Sequence, residues 1–572
     1  MAPVFLEITI IICLAAVLAF VFRLLKQPAI LAYILTGVVI GPLGFLNIQN
    51  PEFLKTLGEL GITFLLFTLG LEIRIKDFTS ITRVAIIVSA VQVLLSFLSG
   101  YIISLLFGFN VLSAVYIGIA VTFSSTVIVL KLISGKRELH SLHGKIAIGV
   151  LLIQDFLAIA ILIFLSGFNP QLVTIEPFAK FAQILIKGVI LFGAVWYLGS
   201  NVFPKLIDRI AGSTETLFLA SIAWVFGLSA LVSSIGFSLE IGGFLAGLAL
   251  ANSIVNYQII ARAKILQDFF IILFFVLLGI QMTFGNILSI FEAAIVLSVL
   301  VLILKPFIVM IIMGILGFKK RTSFLTGVNL GQVSEFSLIA VFLGAKLGHI
   351  SNEVVSLITL CAIITFTIST YLMVWSKNIY KFLKYGLSFL EFTNAGAEEA
   401  VESISKIPVL KDHVVVIGGD QMGQSVLSSL DDMDIDVVLV DFDPEIFKKL
   451  EHLPAGKAGN KAHKLFGDIS DLDIQERAQL DSAKLVISTI PDFEDNLLIL
   501  KELRHENRKA KVVVMAFDLD ETKALYKAGA DYVVLPHLAG GRQVAKLIEE
   551  NNLDKIETLK NKDIKFLGLS PF

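Results

Sequence analysis

Cysteine is almost missing from this chain. It occurs twice in 572 residues, as Cys13 and Cys361, each inside an apolar run. No disulfide framework follows from that usage. Charge is scarce as well: Asp, Glu, Lys and Arg make up 16% of the residues against 56% hydrophobic. A soluble protein of this length needs more charge on its surface, so a soluble globular class is excluded. The net charge of −2 leaves no excess of one sign, and neither nucleic acid nor another polyanion is an expected partner. The opening MAPVFLEITIII has neither a basic n-region nor a small-residue cleavage site, so it reads as a first membrane helix rather than a signal peptide.

Long apolar runs fill the chain as far as Trp375, each able to cross a bilayer as a helix. Breaking them at polar, Gly and Pro punctuation predicts about thirteen spans. They cover 4–22, 28–46, 56–75, 82–107, 111–132, 144–166, 178–200, 214–235, 237–256, 266–283, 287–317, 323–346 and 353–376. Loops alternate between basic, such as Lys136/Arg137/Lys145 and Lys319/Lys320/Arg321, and nearly bare, such as NIQNPE and SSIGFS. Basic loops face the cytoplasm, which puts the N-terminus outside and the C-terminal part inside a bacterial-type inner membrane. Residues 1–378 are thus a membrane domain and 379–410 a polar linker. Short apolar strands then alternate with helical stretches (HVVVIG, DVVLVD, KLVIST, KVVVMA, DYVVLP), which predicts a Rossmann-like α/β domain over 411–540 and a tail over 541–572. The fold class is an α-helical polytopic membrane protein with a cytoplasmic α/β domain.

Within VLLIQDFLAIAIL (150–162) a single acid, Asp155, follows Gln154 in an otherwise apolar span. Holding it at membrane depth costs roughly 2.5–3.5 kcal/mol on insertion scales. Two readings are open: a carboxylate satisfied by a neighbouring helix or subunit, or an ion and proton site. A carboxyl group that crosses only when protonated or cation-bound performs exchange. Nearby, Thr122, Ser124, Ser125 and Thr126 put four hydroxyls into AVTFSSTVIVL. They either bond back to helix carbonyls or unwind the helix and free oxygens for a cation. The twelfth span carries a comparable interruption, GVNLGQVSEFSLIA, with Gln332 and Glu335. Paired interruptions in corresponding spans point to an inverted repeat around an alternating-access site. Lys305, in VLILKPFIV, lies too deep for easy snorkelling. It is either a charge partner within the core or a brace at Pro306.

In the α/β domain, VVVIGGDQMGQSV turns from a strand into a helix, and VVLVDFD follows. The layout is that of a dinucleotide fold, with a Gly-rich turn, a helix N-terminus for phosphate and Asp441 for ribose hydroxyls. Gly418 and Gly423 match the first and third glycines of the fingerprint, while Asp420 takes the second. Gln421 and Met422 complete the turn. A carboxylate there adds bulk and like charge, so a single phosphate fits at least as well as a pyrophosphate. A dimerising domain that binds nothing is the alternative.

LFTLGLEI (66–73), FSSTVIVLKLI (123–133), LIQDFLAI (152–159), GGFLAGLALANS (242–253), FFVLLGIQM (274–282) and GQVSEFSLI (331–339) together resemble the second monovalent cation:proton antiporter family, in its Kef branch. The resemblance covers the whole membrane region in order. It implies thirteen spans, two crossed broken helices, a homodimer and elevator-like motion. It further implies that Asp155 carries the ion, that Gln154 replaces a residue that is carboxylate or amide elsewhere, and that Lys305 matches a basic residue of that helix. With one titrating carboxylate, exchange of one K+ (or Na+) for one proton is the simplest stoichiometry. The α/β domain resembles the RCK (KTN) regulatory domain, including FGDISD (466–471) after the third strand, where Gly467, Asp468 and Ile469 would flank an adenosine. The implied cofactor is an adenine nucleotide, AMP or NAD(H), acting as a regulatory ligand. Kef relatives carry acids in the loop before the tenth span, but this chain has Arg262 and Lys264 in NYQIIARAKILQDF (256–269), which counts against glutathione gating through that contact.

A ligand-gated K+ channel lacks support, because no TVGYG-like filter loop occurs. A nucleotide-dependent oxidoreductase would need a substrate lobe that the sequence does not offer, so no enzyme is expected.

Overall fold

The computed structural model describes residues 2–44, 50–72, 83–136, 138, 139, 141–167, 214–282 except 252 and 254, and 287–387 except 384 and 385. It also describes 191, 193, 195 and 197, and most of 407–549, leaving out short stretches within 431–434, 443–461 and 468–471. The chain divides into a helical unit and a C-terminal unit.

The helical unit opens with α1 (Ala2–Leu24), α2 (Ala29–Ile40), α3 (Pro51–Glu72) and α4 (Arg83–Leu106). It continues with α5 (Val111–Thr122), α6 (Thr126–Gly135), α7 (Leu142–Gly167), α8 (Thr214–Ser234), α9 (Leu239–Leu250) and α10 (Asn256–Ile280). α11 (Ile287–Val299), α12 (Lys305–Ile315), α13 (Lys320–Asn329), α14 (Glu335–Lys346), α15 (Asn352–Val374) and α16 (Ser376–Leu383) complete it. Among the described residues, nine helices are long and apolar enough to cross a membrane. The seventh expected span, 178–200, lies almost wholly outside the described residues. One boundary is corrected. The segment 256–269, read from sequence as a loop, is the first half of α10. Its polar residues misled the hydropathy reading. Asn256, Ile259 and Ala263 are buried while Arg262 and Lys264 are exposed, so this stretch is an amphipathic extension of the span.

The helices form two groups. α2, α3, α9 and α10 interlock where helix backbones nearly touch. A Cβ on Gly37 or Gly279 would strike the α10 or α2 backbone, and one on Gly70 or Gly247 the α9 or α3 backbone. Small residues that admit such close approach are how membrane helices gain packing without a hydrophobic drive. The second group is α4, α5, α12, α13, α14 and α15, with Gly344 of α14 seated against the Tyr116 ring of α5. Lys346, in the last turn of α14, joins the groups: its Nζ lies 3.0 Å from Glu59 Oε1 on α3 and 3.3 Å from Glu240 Oε1 on α9. At the end of α1, Lys26 adopts a left-handed conformation (φ 58°). Its N–H reaches Arg23 O at 3.0 Å, and Gln27 N–H reaches Phe22 O at 2.8 Å. Glycine usually takes this closing position, and a side chain there costs roughly 1 kcal/mol.

In the C-terminal unit, β1 (Val414–Ile417), β2 (Val437–Asp441), β3 (His463–Phe466), β4 (Leu485–Ser488), β5 (Lys511–Met515) and β6 (Tyr532–Val534) make one parallel sheet in the order β3-β2-β1-β4-β5-β6. The crossovers include α17 (Gln421–Leu430), α18 (Leu472–Arg477), α19 (Phe493–Glu506) and α20 (Leu519–Lys527), and α21 (Pro536–Glu549) follows β6. Successive valines alternate faces. Val414 and Val416 join one apolar layer with Leu427 of α17, whereas Val415 and Ile417 join another with Leu500 and Leu503 of α19. Burial on both faces explains why the strands read as unbroken apolar runs. The strand order reverses between β1 and β4, which opens a crevice at their carboxyl ends. Near the far edge, Asp531 accepts bonds from Lys511 Nζ, the Val512 N–H and Arg504 Nη2 at 2.7–2.8 Å. Partial burial pushes its carboxyl upward, but these donors outweigh it and hold the group below the usual carboxylate range.

Candidate functional site: a crossing of two broken helices

α5 stops at Thr122 because Phe123 turns extended (φ −81°, ψ 153°), and the chain resumes as α6 only at Thr126. α13 stops at Asn329, and α14 restarts at Glu335 with Ser334 as its cap, whose Oγ accepts the Phe336 N–H at 3.2 Å. The two gaps meet. Ser124 Oγ donates to Leu330 O at 2.8 Å, Gln332 Nε2 approaches Ser125 O at 3.4 Å, and Ser125 Oγ donates to Glu335 Oε1 at 2.7 Å.

Three side chains from two further helices complete the crossing. On α7, Asp155 Oδ2 accepts from Thr126 Oγ1 at 2.8 Å, and Gln154 Oε1 accepts the Ser124 N–H at 3.0 Å. On α12, the fully buried Lys305 donates from Nζ to Phe123 O at 2.8 Å and to Gln332 O at 3.0 Å. Its placement has a local cause. The residues before it, Leu300–Leu304, form a π-helical turn in which the Lys305 N–H bonds Leu300 O, and Pro306 follows without an N–H to give. Such bulges reaim side chains and recur at functional sites.

The electrostatics follow from the helix ends. Lys305 sits between a carbonyl at the negative end of α5 and one in the gap between α13 and α14, while the carboxyl groups of Asp155 and Glu335 sit at the positive starts of α6 and α14. Every sequence-predicted membrane residue is therefore at or beside the crossing. Of the four hydroxyls, only Thr122 bonds back into its own helix, to Gly118 O at 2.8 Å. Lys305 is a core charge, and its bonded partners are carbonyls. The carbonyls of Thr122, Phe123, Ser125, Leu330 and Gln332 all accept protein donors. Gln332 Oε1 is buried there with no partner among the described residues.

Sequence reading missed Gln92 of α4. Its Nε2 donates to Thr122 O at 3.1 Å, and its Oε1 accepts from Gln154 Nε2. The signal was present: a lone amide in SAVQVLL, as conspicuous there as Asp155 is in its own span. Thr365 of α15, whose Oγ1 accepts the Val333 N–H at 3.4 Å, was missed too, and a threonine in an apolar helix gives no such signal.

In the C-terminal unit, a tight glycine turn follows β1. Gly418 has φ 93°, and a Cβ on Gly423 would strike the Gly418 backbone. Thr489, at the end of β4, donates its hydroxyl to Gly418 O at 3.0 Å across the strand-order switch. Asp420 is exposed immediately ahead of α17, beside Gln421 and the half-buried Met422. Asp441 is buried, and its Oδ2 accepts the Gly419 N–H at 2.6 Å. Gly467 N–H bonds Asp441 O at 2.9 Å, and Ile469 is buried in the apolar layer on the α19 side. Asp468 lies outside the described residues.

Comparison with known proteins agrees with both units. The transmembrane sodium/hydrogen exchanger family matches residues 9–375, and the TrkA-N domain matches 414–536. The putative cation/proton antiporter YbaL of Escherichia coli is 27% identical over 94% of this chain and 95% of its own. The K(+) efflux antiporter 5 of Arabidopsis thaliana is 30% identical, covering 61% of this chain and 62% of its own. The glutathione-regulated potassium-efflux protein KefC of Escherichia coli is 24% identical over 94% and 83%. An exchanger match that spans the crossing, followed by a TrkA-N domain on the parallel sheet, means that the chain belongs to the sodium/hydrogen exchanger family, with the Kef-type architecture of a cation/proton antiporter and its regulatory domain.

Proposed function

We propose that the protein exchanges one K+ for one proton at Asp155, electroneutrally and without covalent chemistry, under control of an adenine nucleotide bound in the C-terminal unit. The observation that carries this reading is the Asp155 carboxyl group beside Thr126 at the start of a half-helix, in a crossing whose freed backbone carbonyls already accept protein donors. Proton and cation compete for the same oxygens. The crossing holds two carboxyl groups, Asp155 and Glu335, and one ammonium, Lys305. With all three ionised the site carries one negative charge, which one bound cation or one proton neutralises before the site moves through the bilayer. K+ is favoured over Na+ by the potassium-efflux relatives. The protein works as a homodimer joined through both domains, with the N-terminus outside and the C-terminal unit in the cytoplasm, as the basic loops argue.

Support for a nucleotide comes from the crevice between β1 and β4, the positive φ of Gly418 and the packing of Gly423. The exposed Asp420 beside the start of α17 makes AMP at least as good a ligand as NAD(H), because it repels a pyrophosphate more than a single phosphate. Proteoliposomes with an internal pH dye test the transport reading, with K+ and Na+ supplied in turn. Asp155→Asn preserves shape and removes titration, so cation-driven proton movement should vanish while the protein still purifies as a folded dimer. Exchange by that variant at near the unaltered rate would sink the mechanism.

A further inference from the structure

Beside the crossing, α1, the α1–α2 turn, the starts of α2 and α6, and α15 line a cavity of about 700 Å³. That volume suits a bound small molecule or lipid headgroup. Three cations line it, Arg23, Lys26 and Lys131, and among the described residues no carboxylate does. All three are exposed, and among the described residues none has a side-chain partner. Lys26 reaches the cavity from a left-handed backbone position that glycine would occupy with less strain. Gln27 also lines it. This side chain is 8% exposed, its Nε2 approaches Thr367 O at 3.4 Å, and its Oε1 has no partner among the described residues. The remaining wall is apolar apart from Thr370, and Phe20 and Val127 stand 63% and 58% exposed on α1 and α6.

We infer that this cavity binds an anionic phospholipid with a hydroxyl-bearing headgroup, of the phosphatidylglycerol kind. Its phosphate sits among the three cations, a headgroup hydroxyl donates to Gln27 Oε1 once that buried side chain turns toward the cavity, and an acyl chain covers Phe20 and Val127. Charge alone would suit free phosphate equally, but free phosphate leaves the apolar wall uncovered. Clustered Lys and Arg between helices on the cytoplasmic side are a recognised form of lipid headgroup site. The location gives the lipid a lever on transport. Lys131 lies on α6, the half-helix whose first residue holds Asp155, so an occupied cavity ties that half-helix to α1 and slows or favours its movement. The lever rests on the proposed exchange at Asp155, whereas the binding does not.

The test uses the purified full chain in neutral detergent, with lipid retention followed by native mass spectrometry and melting by intrinsic fluorescence. Added phosphatidylglycerol should be retained and raise the melting point by several degrees, while phosphatidylcholine and inorganic phosphate should not. The variant Arg23→Gln/Lys26→Gly/Lys131→Gln should retain the lipid about a hundredfold more weakly, at about fivefold per cation. Lys26→Gly alone controls for folding, since its backbone favours glycine, and should melt no lower than the unaltered chain without lipid. In phosphatidylcholine vesicles the triple variant should exchange as the unaltered chain does, and only the unaltered chain should change rate when phosphatidylglycerol is included. Equal retention by both proteins, or equal protection by inorganic phosphate, would overturn the assignment. An exchange rate blind to phosphatidylglycerol, with retention intact, would overturn the lever and leave the site.

Discussion

Replacing Lys305 with Met removes one ammonium and leaves a chain of similar length in a fully buried slot. Two backbone carbonyls, Phe123 O and Gln332 O, lose their donor. Charge-assisted bonds of this kind contribute about 1.5–3 kcal/mol each, so the gross loss is about 3–6 kcal/mol. Relief of the ammonium's desolvation works the other way, but the buried carboxyl groups of Asp155 and Glu335 then lack their counter-charge. Removing one partner from a buried charged set usually destabilises by about 3–5 kcal/mol, and that is the net value expected here. Unfolding in mixed detergent micelles measures it. Lys305→Gln separates the two causes, because an amide can still donate to a carbonyl yet brings no charge. If the hydrogen bonds dominate, Gln recovers about half of the loss; if charge dominates, Gln resembles Met. A Met variant within about 1 kcal/mol of the unaltered chain would refute the view that Lys305 holds the two helix breaks together.

Gln92→Leu should destabilise the helical unit by about 1–3 kcal/mol, since Thr122 O and the Gln154 amide each lose a partner, and a shift below about 0.5 kcal/mol in the same assay would mean that water replaces it. Asp420→Gly in the full chain should tighten NAD(H) about three- to tenfold and AMP less, measured by calorimetry; equal changes for both would show that the turn does not discriminate by charge. Asp531→Asn should loosen β5 and β6 at neutral pH. The folded carboxyl binds its proton less readily than the unfolded one, so its stabilisation is present above the ordinary carboxylate range and fades as pH falls through it. Hydrogen exchange of those strands should show the difference between the two proteins closing in acid, and a difference that persists unchanged there would rule this out.

The legible parts of this protein are those where a rule of composition is broken. Asp155, Lys305 and the hydroxyl run at 122–126 stand out because an apolar span has no local reason to contain them, and all are at or beside the crossing. Gln92 obeys the same rule and went unread, since an amide is a quieter exception than a charge. The α/β unit was legible for the opposite reason: a parallel sheet buried on both faces needs unbroken apolar strands, and HVVVIG and DVVLVD supply them. What the sequence could not carry was pairing over long separations. Ser124 finds Leu330 and Ser125 finds Glu335 across 206 and 210 residues, and nothing local to either gap names its partner. Two gaps of equal chemistry become a site only because a third element, the π-turn before Lys305, aims one ammonium at both. The start of α10 failed for a related reason. Arg262 and Lys264 look like a loop until burial of Ile259 and Ala263 shows that only one side of that helix is wet. Hydropathy averages over the faces of a helix, whereas packing distinguishes them. Legibility therefore ends where a residue's role depends on which face its neighbours cover.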